Sequence, residues 1–334
     1  MSYHNAIKSF IESAHIDTHS DLFEDALEAL VKAWKSTKDE QDLRIVAQSL
    51  DELYDSFKTF RSYRDTRKVS VFGSARTQTS DPDYDLTVQF SSKMTQKGYF
   101  IITGAGGGIM EAGNKGAQLN KSFGLNIDLP FEQSVNKYIV NDPKLVTYRY
   151  FFLRKLFFIK ESDATVLLPG GFGTHDEGFE SLTLLQNGRC APRPLILLEN
   201  KDSQYWDDWL TFIKKQLLEP GYISEEDMHF IRIVNDVDEA VNHITEFYKV
   251  YHSIHYLKET TVIRLNSPLS DAKVDAINSM FADILSSGNF VQCSAEDIDE
   301  ENGILPHKKR LCFKFNHHNF GRLTALINFI NASA

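Results

Sequence analysis

Between residues 69 and 251 the chain alternates two hydrophobic rhythms, and this limits its fold more than any other feature. Short apolar runs at 69–72, 99–103, 123–129, 164–168, 194–198 and 230–234 are separated by segments of helical spacing at 84–97, 109–119, 145–161, 174–186, 206–217 and 237–251. Strands that are continuously apolar must be buried on both faces, and strands that alternate with helices pair in parallel. The pattern predicts an α/β fold, a doubly wound parallel sheet covered by helices. In such sheets ligands sit beyond the carboxyl ends of the strands, so the loops that follow each strand are the informative ones.

Two flanks do not share the rhythm. Residues 1–68 read as a helical extension, with Leu22, Ala26, Ala29, Leu30 and Ala33, then Leu43, Val46, Leu50, Leu53 and Phe57, at helical spacing. The basic cluster Arg61, Arg64, Arg67 and Lys68 that ends it reads as a solvated linker. Residues 252–334 read as a small β-α-β-β-α domain, an antiparallel sheet backed by helices. Its acidic run 296–301 reads as a solvated loop. The expected organisation is therefore 1–68, a doubly wound α/β domain at 69–251, and 252–334.

Composition excludes several classes. The 334 residues carry a formal net charge of −10, which argues against a nucleic-acid polymer as partner. A local anion pocket remains compatible with that charge. No stretch reaches the roughly 20 apolar residues of a membrane span, and the polar first residues do not read as a signal peptide. Cys190, Cys293 and Cys312 are far apart in sequence and odd in number, so the expectation is a cytoplasmic protein with three reduced thiols.

The loops carry the chemistry. After the first run, Gly73-Ser74-Ala75-Arg76 lacks the G-x-G-x-x-G of a dinucleotide site. Ser74 is either an anion contact or a turn cap. After the second, Gly104-Ala105-Gly106-Gly107-Gly108 lets backbone approach a partner closely, without a Walker lysine. After the fourth, Pro169-Gly170-Gly171-Phe172-Gly173-Thr174-His175-Asp176-Glu177 sets Gly170, Gly171 and Gly173 at the start of a helix whose free N–H groups and dipole favour an anion. Thr174 adds a hydroxyl, and Glu177 stands one turn further on. Thr174 and Glu177 also match a capping box, a purely structural alternative. Upstream, Arg154-Lys155 sits in an apolar helix, either as a snorkelling pair or as cations serving an anionic site.

Taken together, Thr103-Gly104-x-Gly106-Gly107-Gly108-Ile109-Met110-Glu111-Ala112, Phe151-Phe152-x-Arg154-Lys155 and Pro169-Gly170-Gly171-Phe172-Gly173-Thr174-x-x-Glu177 resemble the LONELY GUY (LOG) family, long labelled "lysine decarboxylase-like". The segment 124–133, G-L-N-I-x-L-P-x-E-Q, resembles a bacterial subgroup. The resemblance covers roughly 69–250. It implies a Rossmann-like fold and a phosphoribohydrolase that cleaves the N-glycosidic bond of a nucleoside 5′-monophosphate, AMP or a cytokinin riboside monophosphate, to free base and ribose 5-phosphate. It also implies a homodimer or higher homo-oligomer, and neither a cofactor nor a metal. Carried over by motif, Arg154 and Glu177 are the catalytic pair, and Gly170, Gly171, Gly173 and Thr174 hold the phosphate. Gly73, Ser74, Gly106, Gly107 and Lys155 line the rest of the nucleotide site. The departures from the family pattern are Ala105 within the glycine loop and His175-Asp176 before Glu177.

That chemistry suits the residues. Breaking a ribosyl bond develops oxocarbenium character at C1′, which a carboxylate can stabilise while activating water. His175, Asp176 and solvent are all candidates for protonating the leaving base. A pyridoxal decarboxylase would need Lys155 as its Schiff base and an acidic partner for the pyridinium, and no motif supplies that partner. The alternative of a different class is a nucleotide-binding regulatory protein with little or no hydrolysis, motivated by 252–334. On the hydrolase reading, removing 252–334 is expected to alter assembly or regulation rather than chemistry.

Overall fold

The computed structural model describes residues 3–129, 134–301 and 303–332. Helices α1 (Tyr3–Ser13), α2 (Ser20–Ser36) and α3 (Glu40–Phe60) open the chain. There follow β1 (Lys68–Phe72), α4 (Pro82–Gln96), β2 (Phe100–Thr103), α5 (Ile109–Ala117), β3 (Ser122–Ile127), β4 (Leu145–Tyr148), α6 (Phe151–Lys160), β5 (Ala164–Leu167), α7 (Phe172–Gln186), β6 (Leu195–Leu198), α8 (Tyr205–Ile213), β7 (Ile231–Val234) and α9 (Val237–Phe247). The last part comprises β8 (Tyr251–Tyr256), β9 (Thr261–Leu265), α10 (Asp271–Met280), β10 (Leu285–Cys293), β11 (Lys309–Phe315) and α11 (Phe320–Asn331).

Strands β1 to β7 form one parallel sheet in the order β4-β3-β2-β1-β5-β6-β7. The α/β, doubly wound expectation is met. Val69, Val71, Ile101, Val166 and Ile196 face one buried helical layer with Phe90, Met94 and Ile244. Phe72, Ile102, Leu125, Leu167 and Leu197 face the other with Phe157, Phe158 and Trp206. The chain runs outward from β1 to β4, then returns to place β5 against the other side of β1, in register Val71↔Val166. The strand order therefore reverses between β1 and β5, and the crevice at their carboxyl ends is where a ligand is expected.

Two segments differ from the sequence reading. The helix expected over 145–161 divides into β4 and α6. Leu145-Val146-Thr147-Tyr148 has an edge strand's alternation, with Val146 and Tyr148 buried and Thr147 exposed, and the helical period had absorbed it. The helix expected over 237–251 ends at Phe247, and Tyr251 starts β8. Residues 252–334 accordingly contribute to a four-stranded antiparallel sheet, β10-β11-β9-β8, one strand larger than expected.

Three readings of polar residues are corrected. Arg67 and Lys68 are not a solvated linker: the Arg67 guanidinium stacks 3.6 Å above the Tyr248 ring and binds Asp163 at 2.7 Å, while Lys68 is buried. The acidic run is not wholly solvated either. Glu301 is 0% exposed; burial pushes its carboxyl up, but hydrogen bonds from Arg264, His255 and the equally buried Arg310 outweigh this and hold it at about 2. Cys293 and Cys312, expected reduced, are joined in a disulfide, because antiparallel pairing of β10 with β11 brings their Cα atoms to 6.9 Å. Cys190 is free.

Candidate active site

At the switch point three loops are laced together by backbone. The Ser74 N–H donates to the Pro169 carbonyl at 3.1 Å, and the Ser74 carbonyl accepts from Ile109 N–H at 3.0 Å. Gly73-Ser74 thus joins the loop after β2 to the loop after β5. The Ser74 hydroxyl accepts from Arg76 N–H at 3.1 Å, which gives it the turn-capping role left open by sequence. Gly106 and Gly107 lie half-buried in the middle loop. Beneath them Asn136 donates to the Ala105 and Gly106 carbonyls and to Asn114, which accepts from Thr103. This buried amide network holds Ala105 at a positive φ of 63°.

The third loop turns directly into α7, whose N-cap is Gly171. Thr174 is therefore inside the helix, buried, and not its cap. The capping-box alternative fails, and Glu177 is left available. Gly171, Phe172 and Gly173 stand exposed, Phe172 at 95%. The first turn of a helix leaves most of its N–H groups without intrahelical acceptors; here the Thr174 and His175 N–H groups donate to the Gly171 carbonyl at 3.0 and 3.2 Å. At Gly170 a side chain has no room: a Cβ would lie 2.1 Å from the Thr174 hydroxyl and 2.9 Å from Ser74 N.

Glu177 is 6% exposed, and its Oε2 has no hydrogen-bond partner among the described residues. Burial pushes its pKa up to about 7, against the opposing pull of Lys155 and Arg154. Lys155 Nζ lies 3.8 Å from Glu177 Oε1 but bonds Asp176 at 2.8 Å and Glu180 at 2.7 Å. Its ammonium is engaged with α7 carboxylates, so the structure sets Lys155 beside Glu177 rather than against the glycine loops. Arg154, on the same helix α6, donates from Nε to the carbonyl of Leu125 in β3 at 2.8 Å. Its guanidinium passes so close to Gly104 that a Cβ there would lie 2.4 Å from Nη2. Arg154 on α6 is near enough to Glu177 on α7 for its charge to pull the Glu177 carboxyl down against the cost of burial. Of the segment 124–133, residues 130–133 lie outside the described residues.

Sequence reasoning passed over Tyr205. Its hydroxyl donates to the Gly170 carbonyl and meets His175 Nε2 at 2.6 Å. The rule that loops after strands matter pointed to the segment following β6, but no glycine run or charged motif marked it.

The chain is similar to several known proteins. A family model described as "Possible lysine decarboxylase" matches residues 104–244. A probable cytokinin riboside 5′-monophosphate phosphoribohydrolase, LOGL3 of Oryza sativa subsp. japonica, is 37% identical over 30% of this chain and 44% of its own length. The cytokinin riboside 5′-monophosphate phosphoribohydrolase LOG1 of Arabidopsis thaliana is 35% identical over 28% of this chain and 42% of its own. A similarly named protein of Rhodococcoides fascians is 32% identical over 26% of this chain and 42% of its own. The chain spans less than half the length of these curated relatives. Among solved structures, the molybdenum cofactor carrier protein of Chlamydomonas reinhardtii aligns with 54% of this chain and 97% of its own at 16% identity and a TM-score of 0.38.

Proposed function

From the premise that the chain carries a LOG-family domain, we propose that this protein is an enzyme that hydrolyses the N-glycosidic bond of a nucleoside 5′-monophosphate. The observation that carries the reading is Glu177, a buried carboxylate with one unpartnered oxygen, one turn inside a helix whose glycine N-terminus faces the crevice. Exposed N–H groups of the turn and the α7 dipole suit a 5′-phosphate. Binding energy spent there places the ribose beside Glu177.

In the proposed step the C1′–N bond breaks with its electron pair going to the base. Positive charge grows at C1′ beside the Glu177 carboxylate. A water oxygen bonds to C1′ and Glu177 takes up one of its protons, while the departing base takes a proton from solvent, to which Glu177 later returns its own, so that one water is consumed. Glu177 is buried, so its charge is felt strongly there. Arg154, anchored on the Leu125 carbonyl, offers a guanidinium for ribose hydroxyls or phosphate and biases Glu177 toward its ionised form. Of the other candidate acids, His175 is engaged with Tyr205 and Asp176 with Lys155. Purine monophosphates such as AMP, and cytokinin-type nucleotides, are the proposed substrates. The reading includes self-association, for which α6 exposes Phe151, Phe152 and Leu156.

Incubating the purified chain with AMP, GMP, IMP and CMP, and separating the products by chromatography, tests this. Free base and ribose 5-phosphate are expected from at least one purine nucleotide without added cofactor. Release of base from none of them would overturn the enzyme reading and leave a nucleotide-binding regulator.

A further inference from the structure

Tyr205 is the first residue of α8, and its place is fixed from two sides. The neighbouring indole of Trp206 is buried and donates to the Leu198 carbonyl at 3.2 Å. The buried carboxylate of Glu199 accepts from Trp206 N–H at 3.2 Å and from the Ser203 hydroxyl. The end of β6 thus anchors the start of α8 beside the start of α7. From this base the phenol reaches two groups of the glycine turn, the Gly170 carbonyl and His175 Nε2.

The protons in this chain can be assigned. A carbonyl only accepts, so the single phenolic proton goes to Gly170. The phenol oxygen must then accept from His175 Nε2, which carries its proton. Both ends lie on the phosphate-facing turn: Gly170 comes just before the N-cap, and His175 is in the first turn of α7. In a planar trans peptide the C=O of one residue and the N–H of the next point in opposite directions. Pinning the Gly170 carbonyl toward Tyr205 therefore aims the Gly171 N–H away from it. The glycine turn needs such a restraint, because nothing lies within 4 Å of where Gly171 or Gly173 would carry a Cβ. Without an outside tie, the ordering entropy of this turn falls on the ligand.

We infer that His175 and Tyr205 are positioning residues that act as one unit, holding the Gly170–Gly171 peptide in the orientation that grips the 5′-phosphate. The inference rests on the reading of this turn as a phosphate site and deepens it. It also gives a role to His175, one of the residues at which the sequence departs from the family pattern.

The test compares His175→Leu, Tyr205→Phe, the double variant and His175→Gln, whose amide can still donate. Two quantities are measured: the Kd of ribose 5-phosphate by calorimetry, and the kcat and KM of the best nucleotide from the panel. Each disabling single variant is expected to weaken ribose 5-phosphate and raise KM by about tenfold, with kcat within about threefold. The double variant should be no worse than either single one, because the two residues share one chain of bonds. His175→Gln should recover most of the affinity. Unchanged ribose 5-phosphate affinity in both single variants would overturn the relay. So would strictly multiplicative losses in the double variant, or a fall in kcat without a change in KM. If His175→Leu fails to fold, Tyr205→Phe decides alone, since it removes only a hydroxyl. Ribose 5-phosphate binding that follows this pattern in a chain that releases no base would retain the relay and reject the hydrolase. Absence of ribose 5-phosphate binding by the unaltered chain would reject the relay's purpose even if base is released.

Discussion

Glu177 concentrates the physics of this protein at the scale of one residue. Its pKa stands near 7 in the folded chain against 4.5 for an ordinary glutamate, with burial the largest cause. The folded state thus holds a proton more tightly than the unfolded state. The associated stability is fully present below about pH 4.5 and is lost as pH rises through about 7. The proposed mechanism needs the carboxylate, so kcat/KM should rise with pH with a midpoint near 7. Glu177→Gln is expected to lose turnover by at least about 10²-fold while keeping ribose 5-phosphate affinity. Its melting temperature relative to the unaltered chain should be more favourable at pH 8 than at pH 5, because the amide has no charge to desolvate. Turnover close to that of the unaltered chain would make Glu177 a bystander. A melting difference independent of pH would remove the buried-carboxylate argument.

Among the elements, α3 sits closer to the site than a helical extension implies. Phe60 is buried and stacks on Phe123 of β3, with ring centroids 4.6 Å apart, and on Phe157 of α6 at 6.2 Å. Ser56 shares a hydrogen bond with the Tyr148 hydroxyl at 2.7 Å, and Glu52 accepts from Arg149 N–H at 2.8 Å, just before α6 begins. The helix that carries Arg154 is thus held at its start and along one side by α3. Phe60→Ala should cost about 3–5 kcal/mol in denaturant unfolding, the range for removing a buried phenylalanine. A cost below about 1 kcal/mol would mean that α3 is a detachable arm. The heptad-like apolar spacing of 40–60 announced the helix, but no local pattern announced its partner. The same limit explains the 145–161 segment. An edge strand four residues long, followed at once by an apolar helix, reads as one apolar run until the neighbouring strand is known.

Across the whole molecule, residues 252–334 are bonded into the parallel-sheet core. The Asn331 amide on α11 accepts from Val250 and Tyr251 N–H at 2.8 and 3.1 Å and donates to the Phe247 carbonyl at 2.6 Å. Phe320 lies where a Cβ on Gly188 would be, just beyond the end of α7. Arg67 donates to the His252 carbonyl at 3.1 Å. Deleting 252–334 should therefore lower the melting temperature steeply or leave the fragment insoluble, as followed by circular dichroism and sedimentation. A fragment that melts like the full chain and still releases base would restore the expectation of a separable unit concerned only with assembly or regulation. The net charge of −10 fits the same scale. On the proposed reading, anion binding depends on the N–H groups of one glycine turn and on Arg154, which act over a few ångströms where the field of the distant carboxylates is screened.

The sequence by itself determined the α/β class, six of the seven parallel strands, and the loops that gather at the crevice. Those features are written in local periodicity and in glycine placement, which depend on near neighbours in the chain. It also singled out Arg154, Glu177 and the turn 170–174. Only the tertiary structure decided that Thr174 is inside the helix rather than its cap, that Lys155 is engaged by carboxylates, and that Glu301 is buried between arginines. The tie from Tyr205 to a carbonyl 35 positions earlier belongs with these. Each depends on which atoms meet across the strand crossing from β1 to β5, or across packed helices. Burial, and with it the pKa and the partner of a polar group, is a property of those meetings and not of the residue's own neighbourhood in sequence.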